Sequence, residues 1–243
     1  MRIGIIGNGT IGSALARGLA PRAPDLTIES TTRATASRNA ALVRASDVVV
    51  VCVKPYDVES VLTDIAPALA SEHVLVSVAA SVATPQLRAW SGGRARVVRA
   101  MPNTPASVGL SMTVLAREER TCSRALETAR SLFASFGRTA ILDEAQMDAA
   151  TAIGGCGPAY AFLMMEALID GAIALGIPFD VAREMVAQTM LGSAALLLQS
   201  GAHPAALRHD VTTPAGRTIK GIVELERGGV RAALLNAALA AAG

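Results

Sequence analysis

The sequence predicts an α/β fold in two parts, a doubly wound and mostly parallel half followed by an all-α half, and three observations carry that prediction. A glycine-rich turn, Gly7-Asn8-Gly9-Thr10-Ile11-Gly12, stands between an apolar strand and a helix close to the first residue. Strand-like segments recur as far as about Gln146 and then stop. The remainder is rich in Ala, Leu and Met and is broken only by short Gly/Pro turns. The expected domains are therefore residues 1–146 and 147–243.

Composition bounds the function. At 243 residues and 51% hydrophobic, the chain can supply cores for two modest domains. Its net charge is only +2, its arginines are scattered, and 3% of residues are aromatic. It lacks both the basic footprint and the stacking platforms of a nucleic-acid binder, so a small-molecule partner is expected. Cys52, Cys122 and Cys156 are odd in number and widely spaced, which points to a reduced, cytoplasmic protein without a disulfide framework. His73, His203 and His209 show no ligand spacing, so no metal is expected. The N-terminus turns glycine-rich too soon for a secretory signal. No uninterrupted apolar run reaches the roughly 18 residues of a membrane span, so no membrane association is expected.

Taken in order, Arg2 to Ile6 form the first strand, and Ile11, Leu15 and Leu19 recur at helical spacing in the helix that follows. A glycine turn in that context is the fingerprint of a Rossmann-like dinucleotide-binding domain. Gly7 permits the tight turn, Gly9 lets the backbone approach a pyrophosphate, and Gly12 lets helix and strand pack closely. The candidate cofactor residues here are Ile6, Gly7, Asn8, Gly9, Thr10, Ile11 and Gly12. A second strand near Leu26 to Glu29 precedes Ser30, Thr31, Thr32 and Arg33, the place where such a fold reads the ribose 2′ position. Three hydroxyls and an arginine suit a 2′-phosphate and hence NADPH, whereas Glu29 would favour NADH.

The run Asp47 to Val53 is continuously apolar, as a strand covered on both faces must be, and it ends at Lys54-Pro55. Val74 to Val78 forms a further strand ending at Ala79-Ala80. Arg96 to Ala100 delivers Met101-Pro102-Asn103-Thr104-Pro105 to the same carboxyl edge, where ligands of such sheets bind.

In the second half, Pro158 opens a helix that continues from Tyr160 to Ala174 and is broken by Gly176-Ile177-Pro178. Another helix runs from about Asp180 to Leu198 and ends at Ser200 to Pro204. Both are apolar around most of their circumference, including Met165, Ile169, Leu191 and Leu197. About a hundred residues cannot bury so much by themselves, so a second subunit is expected to cover it. Beyond them lies the polar loop Thr212-Thr213-Pro214-Ala215-Gly216-Arg217-Thr218-Ile219, which leads straight into a helix. Unpaired N–H groups at the positive end of that helix make it a site for a carboxylate.

Three blocks, Met101 to Pro105, Gly155-Cys156-Gly157-Pro158-Ala159-Tyr160 and Thr212 to Ile219, occur in the order and at the spacing of pyrroline-5-carboxylate reductases. The chain resembles that family over nearly its whole length. The resemblance implies NADPH-dependent reduction of the cyclic imine 1-pyrroline-5-carboxylate to L-proline, the last step of proline biosynthesis. It also implies an intertwined homodimer, or a higher oligomer of dimers, built on the helical half. Carried over residue by residue, it places Asn39, Cys52, Val53, Lys54, Pro55, Val78, Ala79 and Ala80 on the cofactor, and Asn103 on both cofactor and substrate. Gly157, Pro158, Gly216, Arg217 and Thr218 fall on the substrate, with Thr218 as the catalytic residue and the N–H groups of Gly216, Arg217 and Thr218 around the carboxylate. The alternative role for Thr218 is simple capping of the helix that follows. The connection from Thr31 to Ser46 is shorter than the family's, so its helix is expected to be reduced or absent.

The chemistry agrees with imine reduction. β-Hydroxyacid dehydrogenases of similar plan use a helix-borne lysine as acid/base, but this chain has only Lys54 and Lys220, and the helix near Gly157 has none. A protonated C=N is already electrophilic and needs mainly positioning. Two departures bear on the substrate. Gly154-Gly155-Cys156 stands where the family commonly has Ser-Gly-Ser, and Ala215-Gly216-Arg217-Thr218 replaces Gly-Gly-Thr-Thr after the loop proline. A reductase of a related cyclic imine carboxylate and a non-catalytic NADPH-binding regulator are the alternatives.

Overall fold

The computed structural model describes residues 1–19 and 27–243. Its contacts divide the chain into two compact units, Met1–Pro158 with Ala241–Gly243, and Ala159–Ala240.

The first unit opens with β1 (Arg2–Ile6), α1 (Thr10–Leu19) and β2 (Thr27–Thr31). A 3-10 segment, Arg33–Arg38, leads into α2 (Asn39–Ala45), followed by β3 (Val48–Val51), α3 (Val58–Ile65), β4 (Val74–Ser77), α4 (Thr84–Trp90) and β5 (Arg96–Met101). Then come β6 (Ser111–Arg117), α5 (Ser123–Ala134) and β7 (Gly137–Asp143). The strands form one sheet in the order β2-β1-β3-β4-β5-β6-β7. The first five are mutually parallel, β6 runs antiparallel to β5, and β7 is parallel to β6.

The continuous valine run is explained by a sheet with a core on each face. Val48 and Val50 pack with Ile3, Ile5, Leu15, Val76 and Phe133 on one side. Val49 and Val51 pack with Ile6, Leu62, Leu75 and Leu87 on the other. Successive strand side chains alternate faces, so a strand buried twice has no position left for a polar residue.

Several boundaries differ from the sequence reading. β3 stops at Val51 and β4 at Ser77, one or two residues short of the expected strand ends, although Cys52 N and Val78 N still reach the neighbouring strands. β2 extends to Thr31, so Ser30 and Thr31 belong to the strand, while Leu26 lies outside the described residues. The helix between β2 and β3 is reduced to seven residues but present. β6, α5 and β7 were not anticipated; β7 is an edge strand of mixed exposure and carries no long apolar run.

From Met147 the chain is helical: α6 (Met147–Ala150), a π turn (Thr151–Gly155) and α7 (Gly157–Ala174), with Pro158 at the second helical position. The second unit continues through α8 (Phe179–Ser200), α9 (Pro204–Asp210), α10 (Arg217–Arg227) and α11 (Val230–Ala242). Gly176 and Gly201 take positive φ, +87° and +63°, and so end α7 and α8 at the predicted breaks. Among the described residues of α7 to α11, Ala182 alone is fully buried. Phe162, Leu163, Leu168, Met185, Leu191 and Leu198 are exposed. By length and composition alone, the helical stretch Glu144–Ala174 is apolar enough to cross a membrane. It meets that test although Glu166 and Asp170 interrupt it.

Candidate nucleotide edge and carboxylate loop

The register of the parallel strands gathers distant segments at one edge. Thr31 pairs with Ile6, Ile6 with Val51, Val51 with Ser77, and Ser77 with Arg99. Thr32-Arg33, Gly7–Gly12, Cys52–Pro55 and Val78–Ala80 follow these positions and therefore leave the sheet side by side, and Pro102-Asn103 leaves it after β5 has run two residues beyond Arg99. Cross-strand bonds continue past the strand ends. Gly7 N donates to Thr31 O at 3.0 Å, Cys52 N to Ile6 O at 2.7 Å, and Val78 N to Val51 O at 3.1 Å.

The glycine turn has the shape a dinucleotide needs. Gly7 sits at φ +100°, and a Cβ there would lie 2.7 Å from the Cys52 carbonyl oxygen. A Cβ at Gly12 would run into the Gly7 carbonyl oxygen, so the start of α1 can approach β1 only with glycine at that position. Gly9 faces open space, and Asn8, Gly9 and Thr10 are exposed while Ile6 is buried and Ile11 half-buried. The first N–H groups of α1 have no partner within the helix, and Ser13 N is the first to find one, Gly9 O at 2.9 Å. The turn thus offers open backbone donors and a helix N-terminus to a pyrophosphate. Cys52 lines it from below as a neutral thiol, because burial pushes its pKa up to about 12.

The 2′ region is more committed than its composition suggests. Thr31 is buried, and its hydroxyl donates to Asn39 Oδ1 at 2.6 Å, a bond that holds α2 to β2. Thr32 N donates to Thr35 Oγ1 at 2.9 Å and starts the 3-10 segment. Arg33 pairs with Asp57, Nη2 to Oδ2 2.9 Å, which ties the β2 loop to the segment after Lys54-Pro55. Lys54, Pro55 and Ser30 are exposed, Val53 and Val78 half-buried, Ala79 buried and Ala80 half-buried. The strand runs two residues further than expected, to Thr31, which turns the Thr31 side chain toward Asn39.

Asn103 is likewise engaged. Its Oδ1 accepts from Met112 N at 3.1 Å and Ser111 Oγ at 3.2 Å, and its Nδ2 donates to Gly154 O at 3.0 Å. Sequence reasoning missed Arg99 and Glu144. Arg99 Nη1 meets Glu144 Oε1 at 2.8 Å with only 5% of the arginine side chain exposed, and Thr84 adds N–H and hydroxyl bonds to the same carboxylate at 3.1 and 2.7 Å. Burial alone would raise the Glu144 pKa, but the bonds from Thr84 and Arg99 hold it below the ordinary range. An arginine inside an otherwise apolar strand was the available signal.

In the second unit, α10 begins at Arg217 with Gly216 as its N-cap, and no side chain caps it. Thr218 is therefore the second residue of the helix, which removes the capping role considered for it. The Gly216 N–H is already bonded to Thr213 O at 3.0 Å, so it is not free for a carboxylate. The open first-turn donors are instead those of Arg217 and Thr218, with Ile219 behind them. Ala215 holds φ +59°, the left-handed conformation that aims this turn, and Arg217 and Thr218 are exposed. Gly157 and Pro158 are half-buried at the start of α7.

Comparison with known proteins agrees with both parts. Residues 2–81 match the family described as NADP oxidoreductase, coenzyme F420-dependent, and residues 144–243 match pyrroline-5-carboxylate reductase dimerisation. The pyrroline-5-carboxylate reductase of Pisum sativum is 44% identical over 206 residues, covering 85% of this chain and 75% of that protein. The Mycobacterium leprae enzyme of the same name is 41% identical over 95% of this chain and 90% of its own. Among solved structures, the Plasmodium falciparum pyrroline carboxylate reductase with NADP bound superposes with TM-score 0.86 at 31% identity, covering 100% of this chain and 95% of that one. The Coxiella burnetii pyrroline-5-carboxylate reductase gives 0.89 at 31% identity, covering 99% and 95%. With a nucleotide edge of this form, a lysine-free helix after it and relatives matched along the whole chain, this protein belongs to the pyrroline-5-carboxylate reductase family.

Proposed function

We propose that the protein reduces the C=N bond of 1-pyrroline-5-carboxylate with NADPH and yields L-proline. The observation that carries this reading is the glycine turn whose Gly7 and Gly12 leave no room for a Cβ, set in a chain matched throughout by reductases of this name. When bound, NADPH supplies the hydride. The turn from Gly7 to Gly12 holds the pyrophosphate with backbone N–H groups, and Ser30, Thr32 and Arg33 face the 2′-phosphate. Cys52 to Pro55 and Val78 to Ala80 form the wall along the sheet edge. The first-turn N–H groups of α10 hold the substrate carboxylate, Arg217 adds a positive charge, and the Thr218 hydroxyl hydrogen-bonds the ring nitrogen. Such a site works by positioning, which suits an imine that is electrophilic once protonated.

The helical part, taken as beginning at residue 147, associates with its counterpart in a homodimer. Its exposed Leu191, Phe162 and Leu163 are the kind of surface a monomer does not leave open. Coverage by a second subunit also accounts for the apolar stretch Glu144–Ala174 without a bilayer, and we place the enzyme in the cytoplasm.

Arg217 supports a second reading of the substrate. A cation where the family motif has a small hydroxyl residue suits an imine acid that is larger or more anionic. NADPH absorbance followed with five- and six-membered cyclic imine carboxylates, with NADH in parallel, decides the matter. Oxidation of NADPH by the five-membered imine is expected. No oxidation with any imine would overturn the proposal, and a clear preference for another imine would replace its substrate. Light scattering of the active enzyme is expected to show a dimer, and a folded, active monomer would contradict it.

A further inference from the structure

The π turn before α7 contains a carbonyl whose regular α-helical donor is missing. A helical carbonyl accepts from the N–H four residues on, and for Gly154 that residue is Pro158, which has no N–H. The turn is widened here, with Cys156 N reaching Thr151 O five residues back at 2.9 Å. The Gly154 oxygen receives a donor from far away in the sequence, Asn103 Nδ2 at 3.0 Å. Asn103 is itself fixed. Its Oδ1 takes Met112 N and Ser111 Oγ, and Ser111 is buried and lies 3.2 Å from the buried Thr113 hydroxyl. From the other side, Met101 packs on Gly155, where an added Cβ would come within 2.6 Å of the Met101 Cε.

We infer that Asn103 is a positioning residue for imine reduction, replacing the N–H that Pro158 lacks and thereby fixing the π turn that carries Gly157 and Pro158. This rests on the function proposed above. Asn103 touches neither substrate nor cofactor in this role: one face of its carboxamide holds the β5–β6 connection and the other holds Gly154. A misplaced turn shifts the start of α7, and misplacement by about 1 Å is enough to cost on the order of a hundredfold in rate.

Asn103→Asp is the discriminating variant. It keeps an oxygen for Met112 and Ser111 but, when ionised, has no N–H for Gly154. The expected result is a fall in kcat of about tenfold to a hundredfold with the NADPH dissociation constant within about twofold of wild type. Amide exchange at Cys156, read by mass spectrometry or NMR, should accelerate about tenfold or more while β5 and β6 stay protected. Gly155→Ala, which pushes the turn away from Met101 and leaves Asn103 intact, should give the same signature and covers the case of an unfolded Asp variant. Wild-type kcat with wild-type Cys156 exchange would overturn the inference, as would a large loss of NADPH affinity, which would make Asn103 a cofactor ligand. Cys156 exchange reads the lock directly, so a wild-type protein inactive on every imine would sink the proposed function and leave this result standing.

Discussion

Replacing Thr218 by Ala separates chemistry from helix stability more cleanly than any other substitution in the carboxylate loop. Thr218 is exposed, occupies the second position of α10, and lies after an N-cap, Gly216, that has no side chain. Removing its hydroxyl breaks no capping bond, so the usual cost of about 1 kcal/mol for a lost cap does not apply. Alanine is the better helix former by up to about 0.7 kcal/mol, so the melting temperature should stay level or rise slightly. If the hydroxyl steadies the ring nitrogen, kcat/KM for the imine should fall tenfold to a thousandfold, roughly 1.4–4 kcal/mol of transition-state stabilisation. The affinity for NADPH should not change, because the hydroxyl is assigned to the imine alone. Steady-state kinetics and thermal melts on one preparation give both numbers. Unchanged kcat/KM would refute the assignment, and a lowered melting temperature would show that the helix start had been misread.

Three further outcomes follow from single contacts. Arg33→Ala should weaken NADPH by about 1 kcal/mol or less, roughly fivefold, and leave NADH unchanged in parallel titrations. The effect is small because the side chain is 83% exposed and already paired with Asp57. Ala215→Gly should raise stability by up to about 1 kcal/mol in urea unfolding, since about 1–2 kcal/mol of left-handed strain outweighs the 0.4–1 of added chain entropy; a loss would mean that Ala215 is unstrained at φ +59°. Glu144→Gln should destabilise by about 2–4 kcal/mol at neutral pH, because it leaves the buried Arg99 with only the exposed Asp148 at 3.4 Å. The Glu144 pKa is depressed in the folded state, so its contribution is present above the unfolded value of about 4.3 and disappears as pH falls through the folded value. The gap between wild type and variant should therefore close in acid, and a gap independent of pH would exclude the Glu144 charge as its source.

Much of this protein was legible from local pattern. The glycines of the nucleotide turn, the doubly buried valines and the breaks at Gly176 and Gly201 each follow from the needs of a few neighbouring residues: Gly7, Gly176 and Gly201 take positive φ, Gly12 has no room for a Cβ, and the valines lie in the core. Tertiary structure decided which polar groups remain available. Thr31 bonds Asn39 eight residues on, Arg33 meets Asp57 across 24 residues, and Asn103 reaches Gly154 across 51. A hydroxyl or carboxamide looks the same in a sequence whether it faces a ligand or a protein partner. Only the register between strands and the path of the loops determine which, because hydrogen bonds need atoms within about 3 Å and chain order says nothing about that distance.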